Sequence, residues 1–307
     1  MVAVVSDAGR AKRLFAEAYD ASADGFARSA DRLVYGYLAR PLARALGEAG
    51  GPVLDVAAGS GALGRLLPAA VALDLSAAQL RHNPLPARLQ GDAERLPFRD
   101  GAFAAAGCAF GINHFPDPGA AVAEMARVAQ LVGLLTWSRP EAPYRPKQAV
   151  MEVVARHAGS DRTAAGILAD ELGERVGSPA ALRDLLEGAG LRPEVAEVEV
   201  DLPWPGAAAF VDYRLATVGV AGLVDDPATV RRQAIAAVAA LPPEALPWTP
   251  RLVLGVGRPE PLVVRTGRRW WRTSRPSPSR CRPAPAPPAA GRRRRGRDGR
   301  CATPRPR

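Results

Sequence analysis

The sequence predicts an α/β fold: a seven-stranded, mostly parallel sheet with helices on both faces, a helical N-terminal segment and lid segments. Three observations point there. From Val53 onward short apolar runs alternate with helical patterns, as parallel strands with covering helices require. Hydrophobic side chains make up 48% of the 307 residues, ample for a core. The first strand runs straight into a glycine-rich turn, VLDVAAGSG, where a backbone can approach a ligand closely.

Residues 11 to 48 read as helices, with Leu14, Phe15, Ala18 and Tyr19 and then Leu33, Tyr37, Leu38, Leu42 and Leu46 at steps of three and four. VLDV is the first strand, ALGRLL a helix, VALDL the second strand, SAAQLR a short helix and ARLQGD the third strand. FAAAGCAFGI, 103–112, is placed as the fourth strand by its position, since Ala and Gly are poor strand formers. A helix follows with Asp117 as N-cap, Pro118 at its first position and Ala121, Val122, Met125 and Val128 on one face. GLLTWS is the fifth strand, SPAALRDLLEGAG a helix capped by Ser178, and VAEVEVDL and RLVLGVG close the sheet. Segments 140–177 and 205–247 exceed ordinary loop length and read as a lid over the carboxyl edge of the strands.

Charge divides the chain. From Arg265 to Arg307 there are 15 Arg and one acid, so this stretch carries +14 of a total +10, and the remainder has 26 basic and 30 acidic side chains, a net of −4. A mildly acidic folded part argues against nucleic acid as a partner, because a basic footprint belongs on a folded face or a binding arm. From Arg275 on, 27 of 33 residues are Arg, Pro, Ala or Gly, whose codons can be written with G and C alone. Residues 263–307 therefore read as a disordered tail, either inert or a translation accident of GC-rich DNA, with a polyanion-binding arm as the alternative. Residues 1–262 are expected to form one domain. Cys108, Cys281 and Cys301 give no disulfide framework, and the three histidines show no metal-binding spacing, so no metal is expected. No leader and no membrane-length apolar run is visible, which leads to the expectation of a cytoplasmic protein without a membrane partner. Oligomeric state is not legible.

Gly59, Gly61 and Gly64 fit the G-x-G-x-x-G spacing of a Rossmann-like dinucleotide site, so an NAD(P)-dependent oxidoreductase is one reading. Three carboxylates favour another. Asp55 lies inside the first strand, where a dinucleotide site has an apolar residue, and a carboxylate there needs a cationic or donor partner such as an ammonium group. Asp74 ends the second strand, placed to accept two ribose hydroxyls, and Asp92 with the Ala93 amide suits an adenine's amino group and ring nitrogen.

VLDVAAGSG, VALDLS, GDAERLPFRDGAF, AFGINHFPDP and AEMARV stand in the order and near the spacing of a known family. Over residues 11 to 262 the chain resembles the class I S-adenosylmethionine-dependent methyltransferases, type 11-like, in the branch of ubiquinone and menaquinone biosynthesis. The resemblance implies S-adenosyl-L-methionine as cofactor and methyl transfer to an oxygen or carbon of a small, apolar metabolite. A cofactor-binding protein with little turnover is the alternative within the same fold. It further implies that Asp55 holds the methionine amino group, that Ala57, Gly59 and Gly61 contact the amino-acid part, and that Asp74 and Leu75 meet the ribose. Asp92 and Ala93 would hold the adenine, Ala109 and Phe110 would flank the sulfonium, and Tyr19 would fold over the cofactor. Three positions depart from the family: Ala57 for the first glycine of the turn, Ala104 for an Asp, and AQLVG for a Pro-Gly-Gly turn.

For a hydroxyl acceptor, His114 is the candidate catalytic base, because NHF follows the fourth strand at the ligand-facing edge. His157 falls in a lid segment and His82 in a short connection. Trp137, Trp204 and Trp248 are placed to wall a substrate pocket.

Overall fold

The computed structural model describes residues 7–160 and 162–259. The chain divides into two units, Met1–Pro261 and Leu262–Arg307, and the described residues all belong to the first. The expected tail, 263–307, lies outside the described residues.

The N-terminal segment opens with α1 (Ala8–Gly25), started by Asp7, whose carboxylate accepts from the Arg10 amide. A π-helical stretch, Phe26–Tyr35, continues it into α2 (Gly36–Leu38) and α3 (Arg40–Gly47). Then come β1 (Val53–Val56), β2 (Ala70–Asp74), α4 (Ala77–His82), β3 (Arg88–Gln90), β4 (Ala105–Ala109), α5 (Pro118–Val128) and β5 (Val132–Trp137). Three helices follow, α6 (Arg145–Ala158), α7 (Ala164–Val176) and α8 (Pro179–Gly188), before β6 (Leu191–Glu199). The helices α9 (Ala207–Leu215) and α10 (Pro227–Ala239) precede β7 (Arg251–Pro259).

The sheet has seven strands in the order β3-β2-β1-β4-β5-β7-β6. The first five are parallel, and β7 runs antiparallel to both β5 and β6. Successive strand residues serve opposite faces, as the period of two demands. Leu54, Ala106, Leu134 and Val253 pack in a core with Val122 and Met125 of α5 and Leu182 and Leu186 of α8. Their neighbours Val53, Ala105, Leu135 and Leu252 pack in a second core with Leu42 and Leu46 of α3, Val150 of α6, Phe210 of α9 and Val230 of α10. Helices thus cover both faces of the sheet.

The capping pattern explains where α4, α5 and α8 begin. Ser76, Asp117 and Ser178 each accept a backbone N–H three residues ahead, and Pro118 and Pro179 occupy first positions whose N–H would be unsatisfied anyway. Three elements differ from the sequence reading. ALGRLL is not an α-helix: residues 61–63 are turn and only Gly64–Leu66 form a 3₁₀ turn. Asp55 takes the Gly64 amide at 2.8 Å. Pro68 then forces Leu67 into extended backbone at ψ 134°, ending the segment after one turn. The fourth strand is shorter than 103–112, because its last residues turn away into the site. The sixth strand starts four residues earlier than VAEVEVDL and includes Pro193, which an edge strand tolerates since its nitrogen owes no ladder bond.

Candidate active site

A cavity of about 260 Å³ lies at the carboxyl ends of β1, β2, β4 and β5, the edge at which ligands of open parallel sheets bind. Ala57, Gly59, Asp74, Leu75, Asp92, Ala93, Ala109, Phe110, His114 and Tyr19 all line it. Asp55 and Gly61 are not among its lining residues.

The turn after β1 is built on positive φ angles, +55° at Ala57, +51° at Gly59 and +99° at Gly61. Ala57 carries a side chain in this region and bears the strain that a glycine there avoids. At Gly61 the missing side chain makes room for other protein, since a Cβ would come within 3.0 Å of Pro84 and 3.2 Å of the Asn83 side chain. Asn83 in turn donates to the Gly59 carbonyl at 3.0 Å. Gly61 therefore shapes the turn from behind.

Asp55 sits under the same turn. It is 1% exposed, its Oδ2 accepts from Gly64 N–H, and burial pushes its carboxyl up to about 8 against the pull of that bond. The partner its burial demanded is a backbone amide of its own chain. Asp74 is different, because it both orders the turn and faces the cavity. Its Oδ2 accepts from Gly59 N–H at 2.7 Å and its Oδ1 from Ser76 N–H at 2.8 Å. Burial raises its carboxyl to about 6 even with those two donors in place.

Asp92, past β3, accepts from Lys12 of α1 at 2.7 Å and from the Glu94 amide at 3.0 Å, while Lys12 also meets Glu94 at 2.5 Å. Lys12 ties the N-terminal helix to the third strand's end and leaves Ala93 buried beside it. At the tip of β4, Phe110 takes φ +61° and lies edge-on to Tyr35 at 5.1 Å and tilted against Trp137 at 5.1 Å.

His114 lies in a short 3₁₀ turn, Ile112–His114, and is walled by Phe15 and Tyr19. Its Nε2 is 2.9 Å from the Tyr19 hydroxyl. Burial pushes the imidazole down to about 4, against the pull of the Gly111 and Phe110 carbonyls. Burial, with the Asp74 charge, likewise keeps the Tyr19 phenol protonated. A neutral imidazole meets this phenol as either tautomer, its Nε2 accepting from the Tyr19 hydroxyl or donating to it.

His157 binds Gln233 at 2.9 Å on an exposed surface, and His82 pairs with Asp24 at 2.8 Å. Neither lines the cavity. Of the three tryptophans only Trp137 lines it; Trp248 stacks on Trp137 at 6.0 Å and on Tyr144 at 5.2 Å behind the wall, and Trp204 packs on Phe210 at 5.4 Å.

Residues the sequence reading passed over complete the site. Asp31 of the π-helical stretch is 1% exposed, lines the cavity and pairs with Arg65 through one oxygen, while its Oδ1 is buried without a hydrogen-bond partner. Gln79 Oε1 and Asn113 Oδ1 are in the same condition, and both residues line the cavity. Three unpaired acceptor oxygens in one cleft match a ligand rich in N–H and O–H donors. Asp31 had a readable mark, since it shares its helical stripe with Val34 and Leu38, where an acid is out of place. Gln79 and Asn113 had none beyond adjacency to named motifs.

The matched stretch of sequence agrees with this architecture. Residues 54–136 match a family described as a methyltransferase domain. That domain spans β1 to β5 and contains the turn, Asp74, Asp92 and His114. The chain is 36% identical over 104 residues to a demethylmenaquinone methyltransferase of Corynebacterium kroppenstedtii, and 41% over 91 residues to one of Renibacterium salmoninarum. These matches take in 32% and 27% of this chain and 45% and 38% of the relatives, so it spans less than half the length of the curated relatives it matches. A solved structure described as a methyltransferase from an antibiotic biosynthesis pathway of Anabaena variabilis superposes with a TM-score of 0.50 at 14% identity, over 70% of this chain and 96% of that one. That likeness shows the fold. Among the described residues no helix is long and apolar enough to cross a membrane, and no cluster of His, Cys, Asp or Glu is suited to a metal ion.

Proposed function

We propose that the protein is an S-adenosyl-L-methionine-dependent methyltransferase acting on an oxygen or carbon of a small molecule. One observation carries the reading: Asp74 faces the cavity while bonded to Gly59 of the turn, with Asp92 and Ala93 along the same edge and three unpaired acceptors around it. Asp74 would take the ribose hydroxyls, Asp92 with the Ala93 amide the adenine, and Gly59 the amino-acid part. Asp31 and Asn113 are better placed than Asp55 for the ammonium, since both residues line the cleft and each has a buried oxygen without a partner, whereas Asp55 is not among the lining residues. S-adenosylmethionine, when bound, supplies a methyl group on a sulfonium.

The chain's own work is alignment and exclusion of water, which suffices for an in-line displacement. Helices α6, α7 and α9, from the two long segments, contribute Lys147, Ala169 and Tyr213 to the cavity and roof it. His114 holds Tyr19 over the cleft through their hydrogen bond, and as a neutral imidazole lining the cavity it is the candidate base for a hydroxyl acceptor.

Calorimetric titration of the purified chain with S-adenosylhomocysteine and with NAD tests this. The former gives saturable heat that Asp74→Ala weakens by about ten- to a hundred-fold, the worth of one or two hydrogen bonds to a charged group. Saturable heat with NAD alone would support the oxidoreductase reading instead.

A further inference from the structure

Beyond the methyl-donor end, the cavity continues between an aromatic wall and a set of cations. Tyr35, Phe110, Trp137 and Tyr213 form the wall, each within ring contact of another. Arg139, Lys147 and Arg214 line the same space. Burying a cation is costly unless a counter-charge answers it. Glu141 answers Lys147, while Arg139 shares Asp170 with Arg162 and has Glu174 at 3.8 Å.

None of these acids forms an ion pair with Arg214, which reaches Glu141 only at longer range. The neighbours of its guanidinium are the Met151 sulfur at 3.8 Å and the Tyr213 side chain, whose ring centre lies 5.5 Å away. Its Nε is buried with no hydrogen-bond partner, and among the described residues no carboxylate lies within ion-pairing distance of it. Burial pushes Glu141 up, yet Lys147, Arg214 and Arg139 together hold it below the ordinary carboxylate range. Arg214 thus stands without a carboxylate partner in the same cavity as the rings of Phe110 and Trp137. A purely hydrocarbon occupant would leave Arg214 stranded, and an anionic oxygen would relieve it.

We infer that the acceptor carries a carboxylate on a flat aromatic body, with Arg214 as the residue that selects it. This rests on the methyl-transfer reading only for the word acceptor, because the anion site can be read without the methyl donor. It also amends the expectation of a wholly apolar metabolite. The body is apolar and one end is charged.

The probes are 2-naphthoate and its neutral isostere 2-naphthamide, titrated calorimetrically into the full chain at low salt, with and without S-adenosylhomocysteine. The expected result is that 2-naphthoate binds at least about ten-fold more tightly than 2-naphthamide, the value of one charge-assisted hydrogen bond. In Arg214→Gln that preference falls to about two-fold or less while S-adenosylhomocysteine affinity is unchanged, and Arg214→Lys, which keeps the charge and the stem, retains most of it. Equal binding of the two probes, absence of naphthoate binding, or an undiminished preference in Arg214→Gln would overturn the inference. Should Arg214→Gln not fold, the wild-type comparison of the two probes decides it. Loss of S-adenosylhomocysteine binding in the wild type, with the naphthoate preference intact, would strike the methyl-transfer reading and leave the anion site standing.

Discussion

Asp55 and His114 are buried titratable groups whose partners lie in their own chain, and they pull stability in opposite directions with pH. The Asp55 carboxyl is raised from its ordinary 3.8 to about 8, so the folded state holds a proton that the unfolded chain releases. Its contribution is full below pH 4 and is lost as pH rises toward 8. His114 is lowered from 6.5 to about 4, so it costs stability as pH falls through that interval. Between pH 6.5 and 8 there are smaller changes from His114 and from Asp74, whose carboxyl is raised to about 6, and the largest change is that of Asp55. Asp55→Asn should remove that dependence: wild type loses about 2 kcal/mol relative to the variant over this interval, measured by urea denaturation at both ends. Parallel curves would show that Asp55 is not buried as described. Sequence spacing was enough to mark Asp74 and Asp92, because their positions at successive strand tips are a matter of counting. The partner of Asp55 was not legible, because it is a backbone amide placed by the turn, and neither was the bond between Tyr19 and His114, which are 95 positions apart.

Elements with strong local punctuation were legible from sequence, and those shaped by long-range contact were not. The helix α5 shows its cap, its proline and its buried face in the twelve consecutive residues from Asp117 to Val128, and all of them stand where the pattern puts them. The turn at 61–67 follows Asp55 and Pro68 instead of its own helical propensity. The roof is held by a contact that no pattern announces: Gly166 near the start of α7 lies against Gly219, and a Cβ at Gly166 would come within 2.6 Å of the Gly219 Cα. Thr163 locks the same seam, its amide donating to the Gly219 carbonyl at 3.0 Å and its hydroxyl to that of Val218 at 2.8 Å. Alanine is the better helix former, yet Gly166→Ala should destabilise the protein by about 1–3 kcal/mol, because backbone meets backbone there and neither side can rotate away. A variant as stable as wild type in chemical denaturation would mean that α7 does not rest on this turn.

At the scale of the whole molecule, the parallel strands carry Asp74, Phe110 and Trp137 to one edge of the cleft, and the two long segments bring Lys147, Tyr213 and Arg214 over it. The alternation of strands and helices made the sheet legible, including its seven strands and the placing of the cleft at their carboxyl edge. The roof's content was not, since Arg139, Lys147 and Arg214 come from three separate stretches that carry no motif. Residues 263–307 have the composition of a chain that does not build a core, so a protein ended near Leu262 should bind S-adenosylhomocysteine with the affinity of the full chain. A large loss of affinity in that titration would make the extension part of the site. The central claim is that the turn at 57–61, Asp74 and Asp92 grip one adenosyl ligand. A crystal structure with S-adenosylhomocysteine tests it most directly: the ribose is expected on Asp74 and the adenine beside Asp92 and Ala93, whereas an adenosyl group seated away from all three would contradict the account.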